Sequence, residues 1–343
     1  MSSINTICYF GDFDPNYSRN RVLIKGFKEN NIEVLFVNAK SIKELINKHK
    51  DVENKYDQLI VGYSDNQFMV PIAKLISNKP IIWDAFYSLY DSWVNDKKLV
   101  SRNSFKSKYY WLLDWLSIKL ANKVLLDTNE HIKYFKTTFG GNKYIKVLVG
   151  SDESVFLPKV KEQSNSFVIH FHGKYIPLQG IEYIIEAAKA LEEYKDIKFN
   201  LVGSGQEHDK IIKLASKLDV NNINFISKQS YSDLTKYISQ SDICLGIFGK
   251  GQKTTRVIPN KVYEAIAMQK AVITANTPAI NELFKDKENI LLCNQADSKD
   301  LVEKILLLRN DSKLRGDIAD NGYKLFKEKC LSKIIVNKLI NEL

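Results

Sequence analysis

One pattern constrains this chain more than any other, and it runs twice. A short apolar segment is followed by a stretch with helical spacing, then by another apolar segment. From the amino terminus the apolar segments fall at 6–10, 33–37, 59–62, 80–84 and 123–127, and Val22, Leu23, Gly26 and Phe27 give helical spacing over 19–30. After residue 165 the series restarts. Strands are predicted at 167–171, 198–202, 223–226, 243–247 and 271–274, and helices at 181–191, 209–218, 232–239 and 261–268. Unbroken apolar runs belong to strands covered on both faces, and strands separated by helices pair in parallel. The pattern therefore predicts an α/β chain of two Rossmann-like, doubly wound domains facing a central cleft. Ligands of open α/β sheets bind outside the carboxyl ends of the strands, so functional residues are sought in the loops there. The polar stretch 158–166 reads as the linker, and the final residues read as a closing helix.

Composition narrows the class. At 343 residues the chain exceeds one ordinary core and fits two domains. Its 44% hydrophobic and 26% charged residues are those of a globular protein. The opening MSSINTICYFGDF lacks a basic stretch followed by an apolar one, so no signal peptide is expected. No segment reaches the roughly 20 apolar residues that span a bilayer. The expectation is a cytoplasmic protein, soluble or peripheral on the inner face of the membrane. Cys8, Cys244, Cys293 and Cys330 form no C-x-x-C pair and read as buried thiols of a reducing compartment. The net charge of +10 is uneven: residues 1–150 hold 22 Lys+Arg against 15 Asp+Glu. An anionic membrane surface or a lysine-rich composition each accounts for that excess. Nucleic acid is not expected, because no nucleic-acid motif accompanies the charge.

Two segments carry chemistry. Val202-Gly203-Ser204-Gly205 is a glycine turn between a predicted strand and helix. Such a turn lets backbone approach a phosphate, although a tight strand-to-helix turn has the same composition. The second is Arg256-Val257-Ile258-Pro259-Asn260-Lys261-Val262-Tyr263-Glu264-Ala265-Ile266-Ala267-Met268. Proline suits a helix start, and Lys261 in the first turn suits a diphosphate. Glu264, one turn on, could accept two ribose hydroxyls; alternatively Lys261 and Glu264 form a solvated i,i+3 pair.

Phe10-Gly11-Asp12-Phe13-Asp14-Pro15-Asn16-Tyr17-Ser18-Arg19-Asn20 and Trp83-Asp84-Ala85-Phe86 resemble one bacterial branch of the retaining family-four glycosyltransferases, and four motifs in order resemble that family, of GT-B fold, as a whole. They are Gly150-Ser151-Asp152-Glu153-Ser154-Val155-Phe156-Leu157-Pro158 (family pattern G-x-D-x-x-x-F-x-P), His172-Gly173-Lys174-Tyr175-Ile176-Pro177-Leu178-Gln179-Gly180, the Val202–Gly205 turn, and Tyr263-Glu264-Ala265-Ile266-Ala267-Met268 with Ala271-Val272-Ile273. The resemblance implies an N-terminal acceptor-side domain over 1–152, a C-terminal nucleotide-sugar domain over 153–325, and a terminal helix over 326–343 returning to the first. It implies a retaining, metal-independent hexosyltransferase that moves a sugar from a UDP- or GDP-linked donor to a glycan or lipid-linked acceptor. No cofactor is implied beyond the nucleotide sugar.

Carried onto this sequence, the catalytic candidates are Asp84, Lys174 and Lys261. The donor-binding candidates are Gly11, Gly173, Gly203, Gly205, Arg256, Asn260 and Glu264. The family's two glutamates eight residues apart become Arg256 and Glu264 here, and its diphosphate-binding arginine and lysine become Lys174 and Gln179. Lys261 and Arg256 are expected to replace the missing charge. These departures also support a different reading, a catalytically weakened homologue serving as a binding or scaffold subunit. Asp84, at a strand end, could orient or deprotonate the acceptor hydroxyl or cap the next helix. His131 and His172 are weaker candidates. Asp12-Phe13-Asp14 resembles a metal motif of another glycosyltransferase fold but is read here as loop chemistry. Lys106, Lys108, Tyr109, Tyr110, Trp111, Trp115 and Lys119 mix cations with rings; the rings are expected in the core, with an anionic membrane surface as the alternative.

Overall fold

The computed structural model describes residues 4–343. The chain divides into two units, one reaching Gly150 and including Cys330–Leu343, the other Ser151–Lys329. In the first, β1 (Thr6–Gly11), β2 (Glu33–Asn38), β3 (Gln58–Val61), β4 (Ile81–Asp84), β5 (Lys123–Leu126) and β6 (Tyr144–Lys146) form a parallel sheet in the order β2-β1-β3-β4-β5-β6. Helices α1 (Ser18–Glu29), α2 (Ile42–Lys50), α3 (Met69–Ile76), α4 (Phe105–Leu120) and α5 (Asn129–Phe139) connect them. In β1, Ile7 and Tyr9 bury beside Val22, Leu23 and Phe27, whereas Cys8 and Phe10 bury beside Leu59, Trp83 and Phe135. Both faces are covered, which is why the strand is apolar from Ile7 to Phe10.

The second unit repeats the plan with β7 (Phe167–Lys174), β8 (Ile197–Ser204), β9 (Ile223–Ile226), β10 (Ile243–Leu245), β11 (Ala271–Ala275) and β12 (Leu291–Cys293). Their order is β12-β11-β10-β7-β8-β9, all parallel. Counted within the unit this is the 3-2-1-4-5-6 order of a dinucleotide fold, reversing between β7 and β10. Its helices are α6 (Ile181–Ala190), α7 (His208–Lys217), α8 (Tyr231–Ser239), α9 (Asn260–Ala267), α10 (Ser298–Asn310) and α11 (Ser312–Lys329). Ile169, Phe171, Leu201 and Ile273 from the sheet pack with Ile184 and Ile305 from helices.

A last helix, α12 (Ser332–Ile340), belongs to the first unit: Ile335, Val336 and Leu339 share a core with Val22 and Phe27 of α1. Gly26 is where the two helices touch, since a Cβ there would lie 2.3 Å from the Ser332 carbonyl oxygen.

The expected strands appear within a few residues of their predicted limits. β6 and β12 were not foreseen; both are three-residue strands at a sheet edge, where natural sheets keep strands short. The stretch 158–166 is not the passage between units. It lies in the second unit, where Lys159 Nζ donates to Thr235 Oγ1 (3.1 Å) and Lys161 Nζ meets Asp242 Oδ2 (2.5 Å). All four cysteines are buried, and none is in a disulfide. On α4, Trp111 and Trp115 pack against the core as expected, but Phe105 is 92% exposed and Tyr109 and Leu112 about half so.

Candidate functional site

The second sheet gathers most of the sequence-predicted residues at its carboxyl edge. β7 and β8 run in register to their ends, placing Gly173 opposite Gly203 and Lys174 opposite Ser204. Gly203 has φ +147°, and a Cβ there would stand 2.0 Å from the Gly173 carbonyl oxygen, so only glycine permits this approach. Lys174, the last residue of β7, is exposed, and Gly205 follows in the β8–α7 turn. Arg256 closes a short 3₁₀ turn over Gln252–Arg256 and is largely buried. Pro259 then precedes α9, whose start at Asn260 and Lys261 carries no side-chain cap, leaving helix-start N–H groups for an anion.

Alternation along β7 builds the interior of the site. Phe167, Ile169 and Phe171 face the core, which turns His170 and His172 to the opposite side. The two imidazoles meet through His170 Nε2 and His172 Nδ1 (2.9 Å), and His172 Nε2 lies 2.7 Å from Glu264 Oε2 on α9. Burial pushes the His172 pKa down to about 3, with the Lys261 charge adding to the effect, so the ring is neutral. Burial raises the Glu264 carboxyl to about 7, against the pull of Lys261. The contact is thus a hydrogen bond that can carry its proton on either side. Lys261 is itself buried; its ammonium donates to Gln179 Oε1 and lies 3.6 Å from the centre of the Phe171 ring. Burial holds its pKa well below the usual lysine range. The Lys261–Glu264 pair is therefore enclosed rather than solvated. Gln179, the position at which the resemblance expects a lysine, is occupied from the side by Lys261.

The first unit disposes of its candidates differently. Gly11 ends β1 with φ +136°. Asp84 ends β4, but its carboxylate is fully enclosed and accepts from Arg19 Nε (3.1 and 3.0 Å) and Nη2 (2.8 Å). Arg19 also donates to the carbonyl oxygens of Val147 (2.7 Å) and Leu148 (3.0 Å). Burial pushes the Asp84 carboxyl up while the guanidinium pulls it back. Both Asp84 oxygens thus accept from a buried guanidinium, the partner that the sequence expectation for this strand end did not include. Nor does Asp84 cap a helix start. His131 is likewise structural, buried with Nδ1 2.7 Å from Asp127 Oδ1. Arg19 and His170 escaped the sequence reading. His170 was legible as the i, i+2 partner of His172 on a strand; Arg19 carried no local signal.

Residues 153–325, half of the chain, match the family model described as glycosyl transferases group 1. An uncharacterised glycosyltransferase of Methanocaldococcus jannaschii is 23% identical over 318 residues, 89% of this chain and 82% of the relative. One from Haemophilus influenzae is 26% identical over 227 residues, 64% of this chain and 61% of its own length. The crystal structure of Anabaena HepE in complex with UDP and glucose superposes with a TM-score of 0.72 at 15% identity, covering 99% of both chains. Sucrose-phosphate synthase from Thermosynechococcus elongatus gives 0.77 at 12% identity over 98% of both. These likenesses establish the GT-B fold for the two sheets. With the matched half of the chain supplying the glycine turns, Lys174, Lys261 and Glu264, this chain belongs to the group 1 glycosyl transferases.

Proposed function

We propose that the second unit binds a UDP-sugar and that the enzyme transfers its hexosyl group, with the anomeric configuration kept, to a glycan or lipid-linked acceptor. The observation that carries this reading is the grouping of Lys174, Lys261, the uncapped start of α9 and Glu264 around the paired turns at Gly173 and Gly203. The turns let a diphosphate approach the backbone. Lys174 and Lys261 meet the charge that develops on the leaving diphosphate as the bond from C1 breaks and the acceptor oxygen bonds to C1. The acceptor proton leaves with the diphosphate. Glu264, oriented by His172, accepts the ribose hydroxyls. Two lysines and a helix start supply the positive charge, so the reading requires no metal. UDP is favoured over GDP because HepE, like this chain in fold, is described with UDP.

The test is a thermal-shift and turnover screen against UDP- and GDP-sugars, with and without EDTA. The expected result is stabilisation by UDP and one UDP-sugar, slow donor hydrolysis, and no effect of EDTA. Absence of stabilisation by any nucleotide would refute the reading. Stabilisation without turnover of any donor would favour the scaffold role, for which Arg256 at the expected glutamate position is the supporting observation.

The outer side of α4 supports peripheral attachment to an anionic membrane. Phe105, Tyr109 and Leu112 stand exposed beside Lys106 and Lys108, a composition suited to the headgroup boundary. Co-sedimentation with anionic vesicles that F105A fails to weaken would remove this part of the proposal.

A further inference from the structure

We propose that the carboxyl edge of the first sheet carries a saccharide-binding platform, built from Tyr17, Tyr63, Phe86, Tyr87 and Asp65, that holds an uncharged pyranose ring of the acceptor. The inference rests on the transferase reading for its purpose but on separate observations for its chemistry. The order of the first sheet reverses between β1 and β3, and ligands of open α/β sheets bind beyond the carboxyl ends at such a reversal. Tyr17 comes from the loop after β1, Tyr63 and Asp65 from the loop after β3, and Phe86 and Tyr87 from the loop after the neighbouring β4.

The four rings form one cluster. Tyr17 and Tyr63 have centroids 4.7 Å apart, Tyr63 and Phe86 5.0 Å, Tyr63 and Tyr87 5.5 Å, and Tyr17 and Phe86 6.2 Å. Rings of this size are ordinarily driven into a core, yet all four stay short of full burial. Phe86 has φ +57°, an outlier conformation for a bulky residue, and its ring lies 5.6 Å from the buried guanidinium of Arg19. Its N–H donates to the Leu125 carbonyl oxygen (3.3 Å). The ring is thus fixed from beneath while its loop stays at the surface.

The polar groups suit a sugar. Asp65 is exposed and accepts from the hydroxyls of Tyr87 and Tyr63 (3.4 Å for the latter). A carboxylate between phenolic hydroxyls can take the donors of sugar hydroxyls, while the C–H face of a pyranose packs on the rings. Charge decides against an anionic head. Segments 12–17, 62–68 and 85–90 contain Asp12, Asp14 and Asp65 and no lysine or arginine. The cations nearby are Arg19, already paired with Asp84 beneath Phe86, and Lys40, whose Nζ donates to the Asp12 carbonyl oxygen (2.7 Å); against them an anion would meet three carboxylates, and a neutral ring meets none of that repulsion.

The experiment uses the full chain and saturation-transfer NMR with methyl α-glucopyranoside, methyl β-galactopyranoside and N-acetylglucosamine as probes, and glucuronate as the charged counterpart. Thermal stabilisation by UDP, which reads the second unit, is recorded on every sample. At least one neutral probe is expected to bind, with affinity reduced about tenfold or more in Y63A and in D65N and retained in Y63F. Circular dichroism checks that each variant is folded, and Y87F, which deletes only a hydroxyl, is expected to weaken binding without unfolding. Stabilisation by UDP with no neutral saccharide bound would overturn the platform and leave the transferase reading standing. Saccharide binding with no UDP effect would do the reverse. Preference for glucuronate, or binding untouched by Y63A, Y87F and D65N alike, would also overturn the platform.

Discussion

The enclosed Arg19–Asp84 pair makes a prediction that separates a structural carboxylate from a catalytic one. D84N removes the negative charge from a guanidinium that has no solvent exposure, leaving it one amide oxygen and the Val147 and Leu148 carbonyl oxygens. An uncompensated buried charge costs about 3–5 kcal/mol, and R19M strands the carboxylate at a similar cost. The double variant R19M/D84L removes both charges and their desolvation together. What remains is two carbonyl groups without their donor, at about 1 kcal/mol each net, for a loss near 2 kcal/mol. The double variant should therefore be more stable than either single variant, a coupling of several kcal/mol. The readout is available without labelling, because Trp83, Trp93, Trp111 and Trp115 all lie in the first unit and their fluorescence reports its urea transition alone. R19M should also regain stability as pH falls, since its unpaired Asp84 titrates above the unfolded value and protonation relieves the burial. If the double variant costs the sum of the singles, the pair is not the buried ion pair described here. If the double variant is stable but has lost turnover by orders of magnitude, Asp84 belongs to the chemistry after all.

The donor-side residues make further predictions. K261M should weaken UDP binding at least tenfold while leaving the ligand-free protein as stable as before or more so, since burial disfavours the ammonium; calorimetry and thermal denaturation together decide it. For Glu264, a folded pKa of about 7 against the ordinary 4.5 means that the fold holds a proton the unfolded chain releases. Its contribution falls as pH rises from about 4.5 to 7, so E264Q should gain on the parent across that window, by at most ~3 kcal/mol. His172 has the opposite sign: with its pKa lowered to about 3, its contribution is lost as pH falls below 6.5, so H172N should gain on the parent toward acid. Hydrogen exchange of peptides from β7 and α9 reads both, and a pH-independent difference would contradict the buried chain of groups. G203A should abolish the paired turn, because its Cβ has 2.0 Å to the Gly173 carbonyl oxygen; failure to fold or loss of all UDP stabilisation is expected, and ordinary UDP affinity would count against the geometry.

Much of the fold was legible because the strands are buried on both faces and announce themselves as apolar runs. The two edge strands were not, since three residues such as Tyr144–Lys146 hold too little pattern. Around the donor-side residues, the glycine turns and the Lys261–Glu264 spacing were visible as local chemistry. The contact of Lys261 with Gln179 was not visible, because the two residues lie 82 positions apart. Asp84 shows the same limit in reverse. A carboxylate at a strand end looks free until Arg19, 65 residues earlier, is folded against it. Sequence reports which groups exist along one element; it does not report which distant partner claims them.

The placement of α12 has a consequence for how the molecule is made. The chain leaves the first unit after Gly150 and comes back to it only at Cys330, so the second unit is an insertion within the first. During synthesis the face of α1 bearing Val22 and Phe27 emerges early but receives Ile335, Val336 and Leu339 last. The second unit has its whole sheet available before the first can close its core. A ribosome that stalls between residues 151 and 329 would release a chain with an uncovered apolar helix at its beginning, an early exposure for chaperones to recognise. The close approach at Gly26 is a latch that stays open until Ser332 has been made.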